Sequence, residues 1–187
     1  QIKSNQTLGD VYAYGTITVD AGVTLTITGT WTGGGTIVNN GTIVLAGSAA
    51  QSFPGSSTTV SAMQNLTINN ASGVTLDKDI IVSGTLALTN GILNTTGNLL
   101  TIANTGASGI TGGSTTSYIN GPVVWNLPAT LAVGSSYVFP LGKGGSYYPM
   151  AVTDPTTGSG TINLRAEVFA SNSGGTPGQG SLSTLST

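Results

Sequence analysis

The chain carries few groups with which to do chemistry. None of its 187 residues is Cys or His, and its charges are Asp10, Asp20, Asp77, Asp79, Asp154 and Glu167 against Lys3, Lys78, Lys143 and Arg165. Thiolate nucleophiles, disulfides, imidazole bases and the usual Cys/His metal sets are therefore absent. A catalyst would have to be built from carboxylates, Tyr, Ser, Thr or Lys. Asp77 and Asp79 form the one close carboxylate pair in the sequence. In a strand they would share a face at about 7 Å, a spacing that suits a Ca²⁺ ion or a glycosidase pair. Two carboxylates supply too few oxygens for a Ca²⁺ shell, and Lys78 between them offsets their charge. The expectation is a solvated strand face, with no catalytic residue, no metal and no cofactor. Asp10, Asp20 and Asp154 stand alone and are assigned to loops or ends.

Gly142-Lys143-Gly144-Gly145-Ser146 shares residue types with a phosphate-binding loop but lacks both its spacing and its helix, so a wide hairpin loop is expected. Aromatic side chains on a β surface can stack on sugars, and Trp31, Trp125, Tyr147 and Tyr148 are the candidates. Trp125 follows Val123-Val124 and is assigned to the core, whereas Trp31 points with the apolar set of its strand. Tyr147 and Tyr148 face opposite ways, which leaves one of them exposed. Trp31, Tyr147 and Tyr148 are retained as possible sugar contacts. The Thr-x-Thr series at Thr16/Thr18, Thr24/Thr26/Thr28 and Thr30/Thr32 would order water, as an ice-binding face does, if it formed a flat array. Thr is also simply a good strand former on a wet face, and the thinner second series (Thr85, Thr89, Thr101) favours that reading.

A net charge of −2 with four scattered cations cannot neutralise a phosphate backbone, which excludes nucleic acid as a partner. No apolar run approaches the length of about 18 residues that a membrane span needs, so no membrane insertion is expected. Gln1 opens directly into polar sequence, as a mature end left by signal cleavage would, and equally as a trimmed end would.

The elements that must position these residues are strands. Half of the chain is Thr, Gly, Ser or Asn, while Glu and Arg occur once each, so helices are starved of good formers. Hydrophobic residues make up 38% and recur in short runs, which argues for a folded all-β chain rather than disorder. In Thr24-Leu25-Thr26-Ile27-Thr28 the period is two, with Leu25 and Ile27 on one side. Gly22-Val23-Thr24-Leu25 returns as Gly73-Val74-Thr75-Leu76, and Gly-Thr and Asn-Gly pairs recur near the same offset, which suggests duplication of a unit of about 50 residues. Strands six to eight residues apart fit either hairpins or the corners of a solenoid. Asn40-Gly41 and Asn90-Gly91 are hairpin signals, but repeated Gly-Thr starts and Asn-rich corners favour stacked coils.

Three segments follow. Residues 1–112 are expected to form a β-solenoid-like stack of short strands. Residues 113–170, which hold most of the aromatics and prolines, form a β-sandwich-like cap over its open edge. Residues 171–187 read as a Gly/Ser/Thr linker or tail.

Four stretches, LTINNASGVTL (66–76), VSGTLALTNGILNTTGNLLTIAN (82–104), SYINGPVVWNLPA (117–129) and YVFPLGKGGSYYPMAVT (137–153), resemble repeat modules of large exported surface proteins of Bacteroidetes and Chlorobi-type bacteria. The resemblance implies a β-rich, adhesin-like, extracellular or cell-surface module exported by type IX secretion, with neighbouring domains or further copies as partners and surface glycans as possible ones. The functional expectation is a non-enzymatic structural spacer. The alternatives are a polysaccharide-binding module and a fibre subunit that polymerises through strand edges.

Overall fold

A computed structural model of the chain describes residues 1–129, 134–153 and 160–170. It is a β-solenoid of about six turns. Each turn crosses three faces in order. Face one stacks Gln6–Leu8, Thr24–Ile27, residues 42–45, residues 65–68, Leu86–Asn90 and Ile110–Gly112 in parallel register. Face two carries Val11–Tyr12, Trp31–Thr32, Gln51–Phe53, Val74–Leu76, Leu93–Asn94 and Ile119–Asn120. Face three carries Thr16–Val19, residues 36–39, residues 59–63, Ile80–Val82, Leu100–Ile102 and Val123–Leu127. Among the described residues no helix is long and apolar enough to cross a membrane.

The period-two pattern puts alternate residues inside, and the ladder then stacks like on like. Leu25, Ile43, Leu66, Leu86 and Ile110 follow one another in register up face one, all buried, and Ile27, Leu45, Ile68 and Leu88 form the next column. The outward partners, Thr26, Val44, Thr67 and Ala87, are half-buried by their neighbours in the ladder. The repeat is thus one coil, and coils are of unequal length: Asp10 meets Thr30 20 residues on, whereas Asn94 meets Asn120 26 residues on.

The 50-residue duplication is not a structural repeat. Thr24-Leu25 lies on face one and Val74–Leu76 on face two, so the matching stretches occupy different sides of the column. The Asn-Gly pairs are corners rather than hairpin turns. At Asn39–Gly41 the Asn39 amide donates to the Asn65 carbonyl at 2.9 Å and accepts from the Gly41 N–H at 3.1 Å. A Cβ on Gly41 would collide with the Val23 and Asp20 carbonyl oxygens of the coil beneath. Gly91 turns its corner at φ +84°, with its Cα against the Asn70 carbonyl.

The parallel ladder continues past residue 112: Leu93 pairs with Ile119 and Leu100–Ile102 with Val123–Trp125. The last coil therefore ends near Leu127, and residues 113–127 belong to the column. The cap itself consists of a hairpin of Ser136–Phe139 with Met150–Thr153, a smaller hairpin of Gly142–Lys143 with Ser146–Tyr147, and Ile162–Ala166 laid antiparallel on Val123–Leu127. Trp125 anchors it, with the Tyr137 and Phe139 rings edge-on at 5.2 and 5.3 Å and its indole N–H donating to the Asn104 carbonyl at 2.8 Å. Asp154 and the tail 171–187 lie outside the described residues.

Candidate functional site

The residues singled out by type are dispersed by the fold. Residues 77–79 are a corner between Val74–Leu76 and Ile80–Val82, not a strand, so the two carboxylates do not share a strand face. At this corner the half-buried Lys78 donates to the Thr58 carbonyl of the coil before. Asp79 accepts the Leu99 backbone N–H at 2.7 Å and so ties its coil to the next. Asp77 is half-buried, and no donor among the described residues reaches its carboxylate. No group of three or more His, Cys, Asp or Glu gathers among the described residues.

Asp10 does the same structural work as Asp79. Its Oδ1 accepts the Thr30 backbone N–H at 2.8 Å and the Thr30 hydroxyl at 2.9 Å, and these bonds hold its pKa below the ordinary 3.8. Asn5 and Asn65 accept the N–H of Thr24 and Thr85 at 2.9 Å in the same way. The corner acids and amides are thus coil-to-coil clamps.

The sugar-contact candidates fare unequally. Trp31 is 3% exposed and packs edge-on against Phe53 at 5.7 Å, so its ring is core and offers no stacking face. It points inward because Thr30 and Thr32 take the wet positions of the same strand. Tyr147 is half-buried against Tyr118, ring centroids 6.5 Å apart, while Tyr148 is exposed. The loop between them and Gly142 is tight, not wide: Gly144 and Gly145, at φ +59° and +86°, form the two-residue turn.

The largest exposed aromatic surface is elsewhere. Tyr12 and Tyr14 are 66% and 86% exposed, with Val11 and Ala13 buried around them. The signal that finds them is their alternation with small apolar residues in VYAY, which puts both tyrosines outward although the strand itself ends at Tyr12. Beside them the face-two ladder is interrupted. Val11–Tyr12 pairs with Trp31–Thr32, but no ladder joins that pair to Gln51–Phe53, which begins a separate four-stranded sheet. The gap opens a surface cleft of about 470 Å³ whose lining includes the buried Trp31 as well as Thr32, Gly34, Ser52, Ser56, Ser57 and Asp77. Beneath it Gln51 closes the seam, donating to the Ile27 and Gly29 carbonyls at 3.1 and 2.7 Å and accepting from Gly47 and Asn70 at 2.9 Å.

Comparison of the chain with family models, curated proteins and solved structures returned no match.

Proposed function

We propose that the chain is a non-enzymatic structural module, a rigid β spacer carried outside the cell on a surface adhesin or filament. The observation that supports this reading is the seven-stranded sheet that includes all of face one, with its stacked aliphatic columns and corner clamps. In such a column each coil touches only its neighbours, so length and stiffness grow by repetition and need no other device. A surface built from Thr, Ser and Asn with ten charged residues in all offers few groups for pH or salt to act upon. The resemblance of residues 66–76, 82–104, 117–129 and 137–153 to exported surface repeats supplies the setting, with neighbouring domains or further copies as partners. Growth by edge pairing at the C-terminal end of face three is disfavoured, because Ile162–Ala166 already occupies the edge of Val123–Leu127.

Pulling the chain by its two ends with an atomic-force cantilever tests the reading. A spacer should resist and then yield in a few steps, each releasing whole coils. Extension without a force peak, or a hydrolytic activity that disappears in Asp77→Asn/Asp79→Asn, would overturn it.

A further inference from the structure

We propose that face two binds a neutral glycan chain, with Tyr12 and Tyr14 as the stacking platform and the adjoining cleft as the groove that takes its hydroxyls. The inference does not rest on the spacer reading: a spacer can carry this groove or lack it, so the two fail separately.

Three independent features converge here. Tyr12 at the end of its strand and Tyr14 at the bend that follows are both turned to solvent, while Val11 and Ala13, which alternate with them, are locked into the core. Second, Tyr12 is the register partner of Thr32, and Thr32 lines the cleft, so the platform and the groove adjoin on neighbouring coils. Third, the cleft holds a half-buried carboxylate, Asp77, to which no donor among the described residues is bonded. A carboxylate partly withdrawn from water accepts two hydrogen bonds readily, and a pair of vicinal hydroxyls supplies them in the right geometry. Ser52, Ser56 and Ser57 add hydroxyls that both donate and accept. Gly34 also lines the cleft, and a Cβ built on it meets nothing closer than 3.8 Å, so a ring can approach the backbone there.

A sugar ring has an apolar C–H face and a polar rim, which matches an aromatic platform beside a hydroxyl-rich groove. An anionic ligand does not fit, since Asp77 is the sole charged lining residue and Lys78 is engaged with the Thr58 carbonyl. A purely apolar ligand would leave the carboxylate and the hydroxyls desolvated without partners. Thr32, Ser52 and Asp77 come from three successive turns, so the groove runs along the column and suits a polymer rather than a monosaccharide.

Isothermal titration of the 187-residue chain with cellohexaose, xylohexaose, mannohexaose and chitohexaose tests the proposal. At least one should bind, and Tyr12→Ala/Tyr14→Ala should weaken it by about tenfold or more, with Asp77→Asn weakening it less. The melting midpoints should stay put, because the three side chains stand outside the core. If the double variant does not fold, NMR shifts of the Tyr12 and Tyr14 ring protons in the wild-type chain serve instead, and they should move on adding the bound hexasaccharide. No binding by any of the four, or binding that both variants and both rings ignore, would overturn the proposal.

Discussion

Asp10, Asn65 and Gln51 are small polar side chains that hold coils together by hydrogen bonds to backbone, and each leaves a donor or acceptor unpaired when removed. Gln51 is buried and makes three hydrogen bonds to backbone and one to the Asn70 side chain, so Gln51→Leu should destabilise the chain by about 1–3 kcal/mol, read as the shift in its urea midpoint. Asp10 carries a pH dependence. Because its folded pKa is depressed, its contribution is complete above the unfolded value and is lost as pH falls through the folded one. Melting midpoints taken below about pH 4 should therefore drop more in the wild-type chain than in Asp10→Ala, which has nothing left to protonate. Equal slopes for the two would remove Asp10 from its clamp. At this scale the sequence was legible in part. Inward Leu25, Ile27 and Trp31 follow from alternation and inward Trp125 from its apolar strand, and the same alternation in Val11-Tyr12-Ala13-Tyr14 puts Tyr12 and Tyr14 outward. The corner at residues 77–79 was not legible, since a three-residue acid-Lys-acid run has no apolar member to mark which way it faces.

The strands owe their stability to the columns they join. Leu25, Ile27, Leu76 and Leu86 are all at most 1% exposed, and truncating any of them to Ala should cost about 2–5 kcal/mol in equilibrium unfolding. Values near zero at all four would mean that the columns are not packed. The corners are as exacting. Gly91→Ala places a Cβ against the Asn70 carbonyl at a positive φ, and should cost more than about 1 kcal/mol on the same measurement. The all-β class and the stacking of coils were readable from the short Thr-alternating runs and the Asn-rich corners. The coil period was not, because corners of unequal length blur it: the matches near 50 residues connect different faces and arise from a small alphabet of Gly, Val, Thr and Leu reused on each. The Asn-Gly pairs misled for a related reason. Asn and Gly suit any sharp reversal, and only the contacts between coils decide that the chain turns a corner and does not double back.

A stack of nearest-neighbour coils should tolerate the removal of one of them. Leu66 and Leu86 are register partners on face one, so excising residues 66–85 brings Asn65 to Leu86 with the aliphatic columns still in line. The shortened chain should keep a β-type circular dichroism spectrum and a cooperative melt at a lower temperature, and a random-coil spectrum would show that the coils are not interchangeable. The same ladder has a directional consequence for radiation. All the backbone hydrogen bonds between coils point along the column, so the carbonyl bonds are aligned with its long axis and the strands lie across it. In an aligned film of the protein the amide I absorption should be polarised along the alignment direction, and X-ray scattering should place the strand spacing of about 4.8 Å on that same axis. A single folded chain would thus carry the diffraction signature of a fibre.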